Sequence, residues 1–149
     1  MQKNNLTVRR GRLADCEKIA EIETACFSHP WTKEDLEEGI RNFTHYFVAE
    51  IEEKVVGYCG IQALSGEGYI TNVATLPPFR GCGIATLIIA AVLEFAAAES
   101  LEFVTHEVRQ GNTPAINLYS KMGFETVGKR PNFYRDPKED ALLMTKFLK

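Results

Sequence analysis

The sequence predicts an α+β domain with a central mixed, mostly antiparallel sheet of about seven strands and helices on both of its faces. Extended apolar runs and helix-periodic segments alternate along all 149 residues in the order β-α-α-β-β-β-α-β-α-β-β. Three successive extended runs are separated only by short polar connections, which indicates an antiparallel meander. Because no linker, repeat or low-complexity segment divides the chain, residues 1–149 are predicted to form one domain.

The N-terminal part is predicted to contain one strand and two helices. Leu6–Arg10 is extended, and Leu13–Phe27 carries its apolar residues near one helical face. Thr32 followed by Asp35 resembles a capping box with Asp in place of the usual Glu, so a second helix begins there. The acidic run Glu34–Glu38 is interpreted as a solvated face of that helix.

The meander occupies the centre of the chain. His45–Ile51 and Lys54–Leu64 are rich in aromatic and β-branched residues, and two acidic residues between them form a tight connection. Tyr69–Thr75 is the third strand, and the two prolines that follow it end its pairing.

The C-terminal part is predicted to contain two helices and three strands. Apolar residues recur at helical spacing over Ile84–Ala98, and the predicted buried stripe consists of Ile84, Leu87, Ile88, Val92 and Phe95. Asn112 suits the N-cap of a helix over Thr113–Met122, and Gly123 suits its C-terminal cap. The remaining predicted strands are Phe103–Val108, Phe124–Lys129 and Ala141–Phe147.

Composition and charge exclude several classes of protein. With 45% hydrophobic residues, 25% charged residues and a formal net charge of −3, the chain lacks the basic balance of a nucleic-acid-binding protein. The N-terminal segment has no apolar core typical of a signal peptide, and the longest nearly uncharged stretch, Gly81–Leu93, is too short to span a bilayer. We therefore expect a cytoplasmic protein with neither a nucleic-acid nor a membrane partner.

The four cysteines, Cys16, Cys26, Cys59 and Cys82, form no CxxC pair and no Cys/His cluster with metal-ligand spacing. Free thiols in a reducing compartment are expected, and no metal is predicted.

The segment RGCGIA, Arg80–Ala85, lies between the third meander strand and the long apolar helix. A helix N-terminus presents free N–H groups and the positive end of the macrodipole, which together bind phosphate, and glycines allow the backbone to approach the anion closely. By itself the segment leaves two interpretations open, a phosphate site or a tight connection without a ligand.

Two segments together resemble the GCN5-related N-acetyltransferase (GNAT) superfamily, and the resemblance covers nearly the whole chain. RGCGIA is similar to the family's Q/R-x-x-G-x-G/A pyrophosphate loop, with Arg80, Gly83 and Ala85 at its defined positions. NTPAINLYSKMGF, Asn112–Phe124, is similar to the signature N-x-x-A-x-x-L-Y-x-x-x-G-F. The sequence departs from the family where Ala85 replaces the commoner glycine and LPP, Leu76–Pro78, replaces the usual acidic-Pro turn.

Three further segments resemble the bacterial ribosomal-protein-alanine N-acetyltransferases, the RimI-like enzymes. They are FSHPW at Phe27–Trp31, HEVR at His106–Arg109, and RPNFY…EDALLM within Arg130–Met144. The resemblance implies an enzyme that transfers the acetyl group of acetyl-CoA to the N-terminal α-amino group of a protein, with ribosomal protein S18 as the implied acceptor.

The resemblance also implies a donor site. Amides from Gly81 to Thr86 would bind the pyrophosphate, with Arg80 as a charge partner. Backbone groups of Val73–Thr75, at a bulge that separates this strand from the next, would pair with the pantetheine arm. Asn112 would contact the donor in addition to capping its helix. The implied donor-binding residues are Val73, Ala74, Thr75, Arg80, Gly81, Cys82, Gly83, Ile84, Ala85, Thr86 and Asn112.

Glu107 and Tyr119 are the implied catalytic residues. From spacing alone Glu107 is more readily a surface carboxylate, but the similarity at HEVR favours a general base that deprotonates the attacking amine. Tyr119 would protonate the leaving thiolate as general acid, although most tyrosines in such helices are core residues. An α-amino group, with a reference pKa of about 8 against about 10.4 for lysine, is the easier amine to deprotonate, which favours a protein N-terminus.

Aromatic residues in two predicted loops are candidates for flanking a peptide acceptor. Phe27 and Trp31 belong to the FSHPW loop, and Tyr134 belongs to the RPNFY loop. Core or lid packing is the alternative interpretation of these side chains. The histidines His29 and His106 have no paired acid in the sequence and do not displace Glu107 as the candidate base.

Several alternatives remain open at this point. The acceptor can be a small-molecule amine such as a polyamine, an aminoglycoside or an amino acid, because fold and donor site do not separate these from a peptide. A non-catalytic acyl-CoA-binding regulator is a second alternative. A nucleotide-binding domain is remote, since the chain lacks G-x-x-x-x-G-K-[ST] and repeated parallel βαβ units. Cys82 is interpreted as a tolerated small residue, with blockage of the donor site on its oxidation or alkylation as the competing hypothesis.

Overall fold

The computed structural model describes residues 5–149, which form one seven-stranded sheet and four α-helices. Residues 1–4, which the predicted domain includes, lie outside the described part. The strands are β1 (Leu6–Arg10), β2 (Thr44–Ile51), β3 (Lys54–Leu64), β4 (Glu67–Thr75), β5 (Phe103–Arg109), β6 (Glu125–Arg135) and β7 (Lys138–Phe147). The helices are α1 (Cys16–Cys26), α2 (Lys33–Arg41), α3 (Ile84–Ala98) and α4 (Thr113–Lys121).

The strand order is β1-β2-β3-β4-β5-β7-β6. Strands β1 to β4 pair antiparallel with their sequence neighbours, as do β5 with β7 and β7 with β6. Strands β4 and β5 pair in parallel, which requires a crossover, and α3 supplies it. The predicted mixed, mostly antiparallel sheet is confirmed.

Helices cover both faces of the sheet, as predicted. Tyr46 and Val48 on β2 belong to a buried cluster with residues of α1 and α2. The alternating positions Phe47 and Ala49 belong to a second cluster with residues of α3 and α4. Since successive side chains of a strand point to opposite faces, one short run of β2 contributes to both cores.

The predicted helix caps are present. Thr32 Oγ1 accepts a hydrogen bond from Asp35 N at 3.1 Å, and Asp35 Oδ2 accepts one from Thr32 N at 3.0 Å, so the capping box that begins α2 is complete. Asn112 Oδ1 accepts from Ala115 N at 3.3 Å at the start of α4. Gly123 follows that helix with φ +93°, the left-handed conformation that a C-terminal cap requires.

The predicted end of β6 at Lys129 is wrong. The strand continues to Arg135 across two register shifts in its pairing with β7. It also lies at the sheet edge, and Pro131 falls within the second register shift, between Arg130 and Tyr134, so this edge strand tolerates the proline. Tyr134 therefore lies on a strand and not in a loop.

The predicted stripe of α3 is wrong at Leu87, whose residue surface is 45% exposed. Ile88, Ile89, Val92 and Ala96 are fully buried on this helix instead. At 100° per residue Leu87 points well away from the centre of that face. Helix α1 also begins later than predicted, because Leu13–Asp15 forms a separate 3₁₀ turn before it.

Candidate active site

Strands β4 and β5 pair at one end only and then separate. Their parallel register joins Glu67–Tyr69 to Phe103–Thr105, whereas β4 continues to Thr75 and β5 to Arg109. A cleft of about 1300 Å³ is lined by the separated ends of both strands. Backbone groups on unpaired strand edges can bond an extended ligand as a further strand would.

A bulge in β4 accompanies the separation. The register with β3 shifts between Gly60 and Ile61, so that Thr71 is an extra residue on β4. A bulge bends its strand and increases the local twist, and this one lies just beyond the last residue of β4 that pairs with β5. The predicted location at Val73–Thr75 is corrected, because those residues remain paired with β3.

Fifteen of the sixteen predicted site residues line this one cleft, and Cys82 is the exception. Those that line it are Phe27, Trp31, Val73, Ala74, Thr75, Arg80, Gly81, Gly83, Ile84, Ala85, Thr86, Glu107, Asn112, Tyr119 and Tyr134.

The loop before α3 presents a row of free amides. Gly81 and Gly83 have φ +78° and +79°, the left-handed conformation that favours glycine. The Leu87 amide donates to the Gly83 carbonyl at 3.2 Å, and the amides from Gly81 to Thr86 donate to no backbone carbonyl of a turn or loop in the described chain. The loop therefore offers unpaired donors at the positive end of a 15-residue helix, a suitable cradle for a phosphate group.

Arg80 and Cys82 point away from that cradle. Arg80 Nε donates to the Thr75 carbonyl at 3.0 Å, and its Nη2 lies 3.4 Å from Cys26 Sγ. The guanidinium thus lies over the end of β4. Cys82 packs against the hydrophobic cluster that includes the buried residues of α3, and it does not line the cleft.

Replacing Gly81 by Ala tests the loop. A Cβ at Gly81 would meet no atom within 4 Å, so the fold loses only about 1 kcal/mol to the left-handed φ. We expect the Kd for acetyl-CoA, measured by calorimetry, to rise about tenfold, because the loop shifts out of its close approach to the anion. Gly66→Ala is the matched control, since Gly66 has φ +79° in the distant β3–β4 turn. Equal Kd values for both variants would contradict a role of the loop in donor binding.

Glu107 lies on β5 beyond the point where this strand leaves β4. Its side chain is 31% exposed, and Oε1 lies 3.9 Å from Arg130 Nε. The hydroxyl of Tyr134 donates to the Glu107 carbonyl at 2.9 Å and fixes the backbone from the neighbouring hairpin. A partly exposed carboxyl group in a cleft can accept a proton directly or through water.

Tyr119 approaches the cleft from α4 and is only 2% exposed. Its ring packs edge-on against Phe124 and tilted against His106. Every fully buried side-chain oxygen among the described residues has a hydrogen-bond partner. The Tyr119 hydroxyl bonds to none of these residues, so it is not fully buried and opens onto the cleft that Tyr119 lines. Burial raises the pKa of Tyr119 well above its usual value, so the phenol is protonated at neutral pH and is a weaker acid than an exposed tyrosine.

His106 is a poor base at this site. Its Nδ1 donates to the Ile70 carbonyl at 3.0 Å, which spans the gap between β5 and β4. Burial lowers the pKa of His106 to about 4, against the opposing effect of that hydrogen bond. The ring is therefore neutral near pH 7, and its one N–H proton, on Nδ1, is donated to the Ile70 carbonyl.

Exposed aromatic side chains border the other end of the cleft. Phe27 and Trp31, on the loop between α1 and α2, are 36% and 48% exposed. Across the opening, Tyr134 lies under the Arg109 guanidinium, whose carbon is 4.2 Å from the ring centre, and its pKa is raised to about 12, chiefly by burial. A contact of 3.1 Å between His29 Nε2 and Asp136 Oδ2 joins the α1–α2 loop to the β6–β7 hairpin.

Glu23 was not among the predicted site residues. This residue is fully buried on α1, and its carboxyl group accepts hydrogen bonds from three other elements. A signal was present, because Ile19, Ile22, Glu23 and Cys26 follow the i, i+3, i+4, i+7 spacing of a buried helical face. A charged residue type in such a series needs partners in the core.

Within residues 5–149, no group of three or more His, Cys, Asp or Glu side chains has the geometry to hold a metal ion. The same part of the chain contains no helix with the length and apolar character needed to cross a membrane.

Comparison with known proteins finds a family model and relatives that match most of the chain. The model of the acetyltransferase (GNAT) family matches residues 16–124. A putative ribosomal protein bS18-alanine N-acetyltransferase of Bacillus subtilis is 37% identical over 144 residues, covering 95% of each chain. An N-alpha-acetyltransferase of Sulfurisphaera tokodaii is 31% identical over 151 residues, covering 92% of this chain and 90% of the relative.

A solved structure is similar over the same length. The ribosomal-protein-S18-alanine N-acetyltransferase of Escherichia coli superposes with a TM-score of 0.90 over 97% of this chain and 94% of its own. Its sequence identity is 22%, so this likeness concerns the fold.

Proposed function

Because the chain belongs to the GNAT family of acetyltransferases, we propose that it transfers the acetyl group of acetyl-CoA to the N-terminal α-amino group of a protein, ribosomal protein S18 being the acceptor. The observation that carries this proposal is the single cleft lined by the free-amide loop, Glu107 and Tyr119. The names of the relatives from Bacillus subtilis and Sulfurisphaera tokodaii support an N-terminal acceptor.

The donor end of the cleft fits acetyl-CoA. Two glycines in the left-handed conformation and the amides from Gly81 to Thr86 suit a pyrophosphate, and the open edge of β4 at Val73–Thr75 suits the amides of a pantetheine arm. Bound acetyl-CoA supplies the thioester carbonyl that the amine attacks and the thiol that leaves.

Glu107 accepts a proton from the incoming ammonium group, directly or through water, so that a neutral amine attacks. Its place on β5, beyond the residues that pair with β4, and in the lining of the cleft supports this role. Tyr134 maintains this position by bonding the Glu107 carbonyl.

Tyr119 donates its phenolic proton to the departing thiolate. Its place in the lining of the cleft and its packing against Phe124 and His106 support this role. Asn112, which caps the same helix and lines the cleft, contributes to donor binding.

The cytoplasm is the proposed location of the protein. A ribosomal acceptor and four unpaired cysteines support this, since thiols persist in a reducing compartment.

A transfer assay on defined acceptors tests the function. The purified protein is incubated with acetyl-CoA and an alanine-initiated S18 peptide, the same peptide with a blocked N-terminus, and a panel of polyamines, aminoglycosides and amino acids. We expect mass spectrometry to find one acetyl group on the α-amino nitrogen of the free peptide and none on the blocked one. Faster acetylation of a free small amine than of the peptide would contradict the proposal and favour a small-molecule acceptor.

A further inference from the structure

The fully buried carboxyl group of Glu23 connects three elements around the acceptor end of the cleft. Its Oε1 accepts from the Trp31 backbone amide at 2.9 Å. Its Oε2 accepts from the Tyr58 hydroxyl at 2.5 Å and from Asn72 Nδ2 at 2.6 Å. Trp31 lies on the loop between α1 and α2, Tyr58 on β3, and Asn72 on β4 directly after the bulge residue Thr71.

These bonds are costly to lose. Glu23 is 0% exposed, so removal of its oxygens takes away the partner of the three polar hydrogens that point at them. Tyr58 is also buried, which makes it an internal support, whereas Trp31 and Asn72 both line the cleft. Two of the three bonds therefore hold residues that line the cleft.

The position of Trp31 shapes the acceptor end. Trp31 lines both the main cleft and a second cavity of about 290 Å³ that lies against α2. Gln62 and Thr71 line both spaces as well, so the two spaces are neighbours at Trp31. A shift of the loop would change the width of the acceptor end. The residue next to this loop that approaches the segment before α3 is Cys26, whose Sγ lies 3.4 Å from Arg80 Nη2.

We propose that Glu23 is a positioning residue, which holds the acceptor loop Phe27–Trp31 against β4 and so sets the width of the opening through which the peptide N-terminus enters. This inference rests on the proposed function for the identity of the acceptor. The position of the loop can be measured without turnover, so this part of the inference does not depend on the proposed function.

The test compares Glu23→Met with Tyr58→Phe. Methionine keeps the length of the side chain but accepts no strong hydrogen bond. The bonds from the Trp31 amide and from Asn72 Nδ2 are therefore both lost. Tyr58→Phe removes a buried hydroxyl from the same carboxyl group and leaves the Trp31 bond in place. Trp31 is the single tryptophan of the chain, so its fluorescence and its quenching by iodide report on the acceptor loop alone.

For Glu23→Met we expect stronger iodide quenching and a peptide KM about tenfold higher, with the Kd for acetyl-CoA within about twofold of the wild type. Tyr58→Phe is expected to lower the melting temperature while quenching and peptide KM stay at wild-type values. If Glu23→Met does not fold, Glu23→Gln retains one neutral acceptor oxygen and is expected to raise quenching and KM about threefold.

Two results would overturn the inference. One is unchanged quenching in both Glu23 variants. The other is an equal loss of peptide and acetyl-CoA binding, which would indicate a general structural role. Failure of the wild type to acetylate any peptide would instead contradict the proposed function, and the quenching comparison would still decide the role of Glu23.

Discussion

Glu107→Gln is expected to lower kcat for peptide acetylation by about 10²- to 10³-fold at pH 7, because the amide cannot accept a proton from the ammonium group. The Kd for acetyl-CoA should be unchanged, since the side chain is nearly isosteric and Tyr134 bonds only the backbone at this position. The loss should shrink as the pH rises above about 8, where an α-amino group is neutral without help from a base. Steady-state kinetics across this pH range measure both effects.

The matched control for this variant is Glu102→Gln. Glu102 is an exposed carboxylate immediately before β5 and does not line the cleft. This variant should retain wild-type kcat. A Glu107→Gln enzyme within about twofold of the wild type at pH 7 would show that the amine reaches the cleft already neutral, and Glu107 would then not be the general base.

Tyr119→Phe is expected to reduce kcat by about 10²-fold while the fold stays intact, because phenylalanine fills the same space and only the proton donor is lost. The Tyr119 hydroxyl bonds to no described residue, so the melting temperature should change little. A thiol has a reference pKa of about 8.5, and above that pH the thiolate leaves without a proton, so the loss should become smaller there.

Tyr69→Phe serves as the control for loss of a hydroxyl. The Tyr69 hydroxyl bonds the half-buried Glu67 at 2.6 Å at the start of β4. Tyr69 also lines the cleft, but its hydroxyl is engaged by Glu67, so its removal should leave kcat unchanged. Unchanged turnover in Tyr119→Phe, with the fold verified by circular dichroism, would remove Tyr119 from the mechanism and leave it a core residue.

The elements with strong local signals were predicted closely. The capping box of Thr32 and Asp35, the bounds of β3 and the bounds of α3 agree with the structure, because each depends on neighbours within a few residues. The end of β6 was wrong, because Pro131 interrupts the local pattern and the edge position that tolerates it is visible only in the assembled sheet.

In the candidate site, too, local features were predicted correctly and features that depend on strand pairing were not. RGCGIA predicted a turn with free amides, and the left-handed Gly81 and Gly83 agree with it, since helix ends and glycine conformations are local properties. The bulge was expected two or more residues too late in β4, because the register of Thr71 depends on β3 and not on β4 alone.

The sequence by itself therefore determined the order of elements, the capped starts of α2 and α4, and the residue types needed for acetyl transfer, since these follow from periodicity, capping and motif spacing. Tertiary structure alone decided that β4 leaves β5 after Tyr69, that Glu107 and Tyr119 share one cleft, and that the carboxyl group of Glu23 supports the Trp31 loop. Each of these depends on contacts between residues distant in the chain. Strand pairing and burial create such contacts, and no local sequence pattern predicts them.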